Sequence, residues 1–461
     1  MKQVGLPIPI RQGVLKYIEN KFNNEKVLPY EYKVKGKEEK IKYNLQKDLV
    51  IYLIFYLIKY TEEEGHGIYL NSKNLKKNFL YDYKPYLSFL EDLDFIILGK
   101  KYIVGNRSNF YGLTNTFYDL DSKYITYQIT NVNLLKKLNG IGLTEEQILN
   151  NEFCKRERNH LVKSFDENLK IDLAKALEEI KNLNKQLVDF NSITIYQYQS
   201  QVWSYNIKKN TDNRLHTIIT RTNKKLLKYI TYRGETLGEI DFKTSQPLFL
   251  FLMLKSVFEK PYNNVINTFI SKKLGTELIK KLKDKGINLD ELNEFGNIVI
   301  NKDIYLHVAE NIETNPKTDL GYYYTDKSSQ QWSRKYFDTK RDLMKNVVMR
   351  SLYNGKGDEI YKFRELFPSI FNSVNIINNY KKVSESKNNL SHFLQSFEAH
   401  VILDLIAKEV DCRFKKIPLF SKHDSLITYN SIIDEVQNFV ISRFKYYFNI
   451  ENDRLITKKS W

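Results

Sequence analysis

The sequence predicts an α+β protein, and three observations predict it. Apolar residues recur at helical spacing through residues 45–95 and 144–192. A glycine-punctuated stretch of alternating hydropathy follows the first of these regions. From about residue 200 onward, short apolar strands interleave with long helices.

The chain has 461 residues, enough for two to four domains. Its 72 Lys and Arg against 55 Asp and Glu leave a formal charge of +17. That excess suits a polyanionic partner such as nucleic acid, whose phosphates release counterions when neutralised. Lys, Asn, Ile and Tyr also abound throughout, as AT-rich codon usage produces, so charge alone leaves both origins open. Cys154 and Cys412 stand far apart with no CxxC, which indicates neither a disulfide framework nor a zinc site and fits a reducing cytoplasm. The most apolar run, LVIYLIFYLI at residues 49–58, is roughly half the ~20 residues needed to cross a bilayer. The opening MKQVGLPIPIRQG lacks the apolar centre of a signal peptide. A soluble, cytoplasmic chain with no membrane partner is expected.

The elements follow in order. Residues 45–60 form a helix apolar enough to be buried. LNSKNLKKNFL starts a short helix with Asn71 or Ser72 as cap, and the next helix begins near Pro85. IILGKKYIVGNRSNFYGLT then alternates as a β-hairpin does, with a Gly-Lys-Lys turn and a second glycine. Three helices and a hairpin follow each other in a winged helix-turn-helix, where one helix enters the major groove and the hairpin touches backbone. Any small α/β domain shows the same order. Residues 144–192 read as helical almost throughout, with Leu173, Leu177, Ile180, Leu183 and Leu187 on one face. LGEIDF is a strand ending in an acid, and LFLFLMLKSVF continues as a buried helix. SRKYFDTKRDLMKNVVMRSLYNG reads as a basic helix stopped by Asn-Gly, and SHFLQSFEAHVILDLIAKEV as another long one. KIPLFSKHDSLITYN closes the series as a hairpin, strands IPLF and SLITY, with His423 and Asp424 at its bend.

An acid at the edge of a core, such as Asp241, is paired, capping or metal-bound, because burying a bare carboxylate costs several kcal/mol. Asp424 is a second acid, which turn chemistry alone also explains. Two carboxylates on adjacent strands can hold two Mg²⁺ ions ~4 Å apart, since Mg²⁺ prefers carboxylate and phosphate oxygens. Arg341 and Lys345 share a helix face, and Met349 and Tyr353 continue it. Such a stripe suits a nucleotide, with phosphates at the charges and base or sugar at the ring. A solvated basic face gives the same pattern.

The spacing Arg341-x3-Lys345-x7-Tyr353 resembles the fingers-helix motif of the family A polymerases, which include bacterial DNA polymerase I-like enzymes and single-subunit phage-type RNA polymerases. GEIDFKTSQ resembles their first palm motif and KHDSLI their last. NRLHT is similar to a Gly-Arg-Leu-Ser-Ser segment, KDIYLHVA to an Asp-Ile-His/Tyr segment, and LQSFEAHVILDLI to a Gln-bearing helix. These six pieces fall in the family's order over about residues 145–455. The resemblance implies a right-hand polymerase: a winged-helix-like domain at 1–140, a helical thumb at 141–200, fingers at 255–385, and a palm at 201–254 and 386–461. It also implies roles. Asp241, Asp424 and the Phe242 carbonyl bind two Mg²⁺ ions, with Mn²⁺ as a substitute. Arg341 and Lys345 take the triphosphate, Lys345 joining the two acids in catalysis. Met349 and Tyr353 meet the nucleotide, Gln246 screens its sugar, and Arg214, His216, Gln395 and His423 contact nucleic acid. Where the family has Gly after the tyrosine, this chain has Asn354 and then Gly355. Residues 1–140 carry no ordered set of acids, so no proofreading exonuclease is expected.

Five residues past the metal-binding Asp, the DNA enzymes of this family carry Glu and the RNA enzymes Gly. Gln246 is close to Glu in volume and favours deoxynucleotides. Met349, the DIY triplet and the Ser after His-Asp look more like the RNA enzymes. The expectation is therefore a DNA polymerase acting on a DNA template-primer with nucleoside triphosphates, in the replication of a mobile element for example. An RNA polymerase or primase, a reverse transcriptase with RNA as a further partner, and a DNA-binding replication initiator are the alternatives.

Overall fold

The computed structural model describes every residue except 1–4, 25–28, 34–39, 62–66, 80–81, 104–107, 140, 184, 210, 260–261, 316, 329–330, 354, 381–388 and 451. Gly105 and Asn354 thus lie outside the described residues. The chain forms two compact units: residues 1–157, 165–206 and 217–236, and residues 158–164, 207–216 and 237–461. No helix among the described residues is long and apolar enough to cross a membrane.

In the first unit, the helix Lys47–Lys59 is buried from Leu49 to Phe55, as an element apolar on all sides must be. Asn71 caps the helix Ser72–Asn78, its Oδ1 accepting from the Lys73 and Asn74 amides. Pro85 sits in the first turn of the helix Lys84–Asp92, where a missing N–H costs nothing. Strands Ile96–Lys100 and Asn109–Leu113 pair antiparallel. Strand Gly67–Leu70, for which the sequence carried no signal, pairs with the far edge of Asn109–Leu113. The expected Gly-Lys-Lys turn is corrected: Gly99 and Lys100 lie within a strand, at a register shift. A Cβ at Gly99 would meet the Phe110 ring at 3.1 Å, a tight contact.

Strand Leu6–Arg11 pairs antiparallel with Tyr124–Ile129. Arg11 is buried against Asp189, with Nε 3.1 Å from Oδ1, and donates to the Phe117 carbonyl. The near-continuous helix expected over 144–192 is also corrected. The helix Glu145–Val162 bends at Arg158, a strand Leu169–Ile171 follows, and helices Leu173–Ile180 and Lys185–Ser200 come after it. Leu169 and Ile171 are buried while Lys170 is exposed, a period of two too short to stand out. That strand pairs with Ile230–Tyr232.

The second unit is built on strand β1 (Glu235–Phe242), of which Leu237 onward belongs to it. The helices that frame its site are α1 (Ser245–Phe258), α2 (Leu289–Asn301), α3 (Ile304–Asn311), α4 (Lys340–Leu352) and α5 (Asn389–Ala399). Strands β2 (Phe420–Lys422), β3 (Ser425–Tyr429) and β4 (Ile456–Ser460) complete a sheet of order β2-β3-β1-β4. Strand β1 is antiparallel to both neighbours, with Asp241 opposite Ser425 on one side and Thr457 on the other. Gly296 of α2 admits the Phe251 ring of α1, which a Cβ would overlap at 2.2 Å. The long helix expected around Gln395 exists, but it passes through a π-helical segment, His400–Ile406. Two expectations are corrected here. SRKYF is not helical: it lies in a strand, Gln331–Phe337, paired with Tyr322–Ser328. The following helix starts after Thr339, whose side chain accepts from the Asp342 amide and so fixes the start. In the closing hairpin, pairing begins only at Phe420, so IPLF is mostly outside the ladder.

Candidate active site

One cavity of the second unit, about 760 Å³, gathers nine of the twelve residues singled out above: Arg214, Asp241, Phe242, Gln246, Arg341, Lys345, Met349, His423 and Asp424. Tyr353, His216 and Gln395 do not line it. Tyr353 lies directly behind it, on Gln246. His216 is hydrogen-bonded to Asp212 at 3.1 Å, and Gln395 is half-buried on α5.

The acids are brought together by strand register. With Asp241 opposite Ser425, Asp424 falls at the adjoining bend, a two-residue turn between Lys422 and Ser425. His423 takes φ 56°, a left-handed conformation that costs a non-glycine residue about 1–2 kcal/mol. Burial raises the Asp424 carboxyl above its ordinary range and the charge of Asp241 adds to this, while a hydroxyl bond from Ser245 (2.8 Å) opposes it. Asp241 Oδ2 accepts from Lys459 Nζ at 2.8 Å. Burial lowers the Lys459 ammonium, but the pull of Asp241, Glu239 and Asp424 outweighs it and holds it above the lysine range. Burial likewise pushes the His423 ring down to about 4, helped by Arg214, His216 and Lys422, so it is neutral at pH 7. Its Nδ1 is buried without a hydrogen-bond partner.

Helix α4 carries the cations. Arg341 donates from Nε to Asp303 Oδ2 at 2.8 Å and lies over the Tyr305 ring, 5.3 Å from its centre. Asp303 also caps α3, accepting from the Tyr305 and Leu306 amides, so one carboxylate fixes both helices. Lys345 is exposed and has no ion pair among the described residues. Helix α4 ends at Leu352, with Tyr353 as its cap.

Behind the cavity runs a buried chain of polar contacts. The Tyr353 hydroxyl donates to Gln246 Oε1 at 2.7 Å, and Gln246 Nε2 donates to Glu398 Oε2 at 2.7 Å. Arg214 Nε donates to Glu398 Oε1 at 2.9 Å. Glu398 is fully buried, and burial pushes its carboxyl up to about 7 against the pull of Arg214. Arg214 follows Asn213, which has φ 53°. Asn213 is pinned by its amide to Ser396 (2.8 Å) and by its carbonyl to Arg158 (2.7 Å). Sequence reading missed Glu398, Lys459 and Asp303. For Glu398 the one available signal was an acid inside the apolar run SFEAHVILDLI.

The fold and the site together define a mixed helix-and-sheet protein in which a carboxylate pair faces a cationic helix across one cavity. Among the described residues no cluster of three or more His, Cys, Asp or Glu stands ready to hold a metal; the acids form a pair. No protein-family model matches the sequence, and no curated protein matches it. Among solved structures the chain is similar to the POL domain of Pol1 from M. smegmatis, in complex with DNA primer-template and dNTP, at 10% identity and a TM-score of 0.35. The match covers 63% of this chain and 55% of that one, little more than half of its length.

Proposed function

We propose that this protein is a template-directed nucleotidyltransferase, a DNA polymerase. One observation carries the reading: Asp241, Asp424, Arg341 and Lys345, drawn from three separate chain segments, line a single cavity of nucleotide size. A carboxylate pair with all-oxygen donors fits Mg²⁺, which keeps waters and completes its shell with substrate phosphates. Asp241, Asp424 and the Phe242 carbonyl would hold it, and it would supply activation of the attacking oxygen and neutralisation of the leaving phosphate.

The chain's own residues do the rest. Lys345, unpaired within the described residues, binds the triphosphate, and Arg341 reaches it from a position held by Asp303 and Tyr305. These charges are arranged before the substrate arrives, which is the main electrostatic source of rate in phosphoryl transfer. Met349 meets the base, Gln246 faces the sugar with Tyr353 behind it, and Arg214, His216, Gln395 and His423 serve the primer-template. In the first unit, the succession helix, strand, helix, helix, strand, strand with Asn109–Leu113 central supports a winged-helix module that holds DNA.

An RNA polymerase is the second reading, favoured by the serine after His-Asp. Ser425 Oγ, however, donates to Glu239 and lies 2.8 Å from the Lys422 carbonyl, so its place is explained by the turn. Primer extension with Mg²⁺ on a DNA template, offering dNTPs and rNTPs separately, tests both. Extension with dNTPs that disappears in Asp424→Ala is the expected result. Extension with rNTPs alone would transfer the reading to RNA synthesis, and extension with neither, on DNA or RNA templates, would remove it.

A further inference from the structure

We propose that Glu398 is a positioning residue for sugar discrimination, holding Gln246 from behind in one orientation. The inference rests on the reading of this cavity as a nucleotide site, and it gives a role to a residue that lies three positions past Gln395 in the LQSFEAHVILDLI helix and had none in that reading. Gln246 is only 5% exposed, and both ends of its amide are engaged, Oε1 by the Tyr353 hydroxyl and Nε2 by Glu398 Oε2. In its ionised form, which the bond from Arg214 favours, Glu398 has no hydrogen to give, so a flipped amide would set two acceptors face to face. One orientation therefore survives. Glu398 cannot drift either, because its other oxygen is held by Arg214 and the side chain is 0% exposed. A side chain fixed at both ends cannot swing aside for a 2′-hydroxyl. The site then rejects ribose through the rigidity of a neutral amide, with the carboxylate set one layer deeper.

Glu398 has a second job, neutralising Arg214, and the test must separate the two. Glu398→Asp keeps the charge for Arg214 but draws the carboxylate back from Gln246. Glu398→Gln removes the charge yet keeps an oxygen that Gln246 Nε2 can reach. For each variant, and for Gln246→Ala, the ratio of kcat/KM for dNTP over rNTP is measured on one primer-template, with circular dichroism and thermal melting as the check on folding. The expected result is a ratio lowered about tenfold in Glu398→Asp, the worth of one buried hydrogen bond, and retained in Glu398→Gln. The double variant Gln246→Ala/Glu398→Asp should fall no lower than Gln246→Ala alone, as for residues acting through one another. A wild-type ratio in folded Glu398→Asp, with both rates reduced equally, overturns the proposal and leaves Glu398 as the counter-ion of Arg214. Absence of extension by the wild-type protein would instead count against the nucleotide-site reading itself. Where Glu398→Asp fails to fold, the paired variant Arg214→Met/Glu398→Met removes the bond to Gln246 without stranding a buried charge, and an unchanged ratio there overturns the proposal equally.

Discussion

Tyr353 donates its hydroxyl to Oε1 of Gln246 at 2.7 Å, which ties the end of the cationic helix α4 to the first turn of α1. Gln246 is buried and Tyr353 half-buried. Tyr353→Phe is expected to cost about 1 kcal/mol in unfolding free energy, a typical value for one buried neutral hydrogen bond. Denaturant melts of the two proteins measure the difference, and equal midpoints with equal slopes would contradict it.

Lys459 reaches Asp241 only because β4 pairs along β1. Its ammonium stands where a divalent cation would draw on the same oxygen. Removing it in Lys459→Met should lower the Mg²⁺ concentration needed for half-maximal activity about two- to fivefold, in keeping with a partly exposed ion pair. A Mg²⁺ titration of extension rate reads this directly. An unchanged or raised requirement would show that the lysine does not compete with the metal.

Metal binding should also be visible without turnover. A ligand that binds only the folded chain raises its melting temperature by mass action. Mg²⁺ is expected to do so for the wild-type protein and to lose that effect in Asp241→Ala and Asp424→Ala. Both variants should abolish synthesis and still bind DNA. Stabilisation by Mg²⁺ that persists in both variants would place the ion elsewhere.

The first unit holds a second acid set by its surroundings. Burial pushes the Asp189 carboxyl up to about 6 from an ordinary 3.8, against the pull of Arg11 and the Tyr124 hydroxyl. Its Oδ2 is buried with no hydrogen-bond partner. The folded state therefore binds the proton more tightly than the unfolded one, and this group's contribution to stability falls as pH rises from about 4 to about 6. The loss amounts to ~3 kcal/mol at 1.36 kcal/mol per pH unit. Asp189→Asn should flatten that part of the stability-pH curve relative to wild type, as chemical melts at pH 4, 5, 6 and 7 will show. Arg11→Met, which strands the acid, should cost about 3–5 kcal/mol.

Features that depend on neighbours along the chain are legible in the sequence. Helical spacing follows from local backbone geometry, so Arg341, Lys345 and Met349 could be placed on one face before any fold was known, and they share one cavity wall. The same is true of the Asn71 cap, the buried helix from Lys47, strand β1 and the His423–Asp424 bend. Short strands were the weak point. Gly67–Leu70 and Leu169–Ile171 hold too few residues to show a period, and they exist because a distant strand offers a ladder. SRKYF differs for another reason: its strand has seven residues and a partner close in sequence, Tyr322–Ser328, but its charges fall at helical spacing and continue the pattern of the helix that follows. Which polar residues meet depends on long-range folding. Lys459 is one of 72 cations until β4 aligns with β1, and Glu398 is one acid in an apolar helix until burial leaves it between Arg214 and Gln246. Pairing across more than a hundred residues is set by closure of the core, and that information is not held in any local stretch of chain.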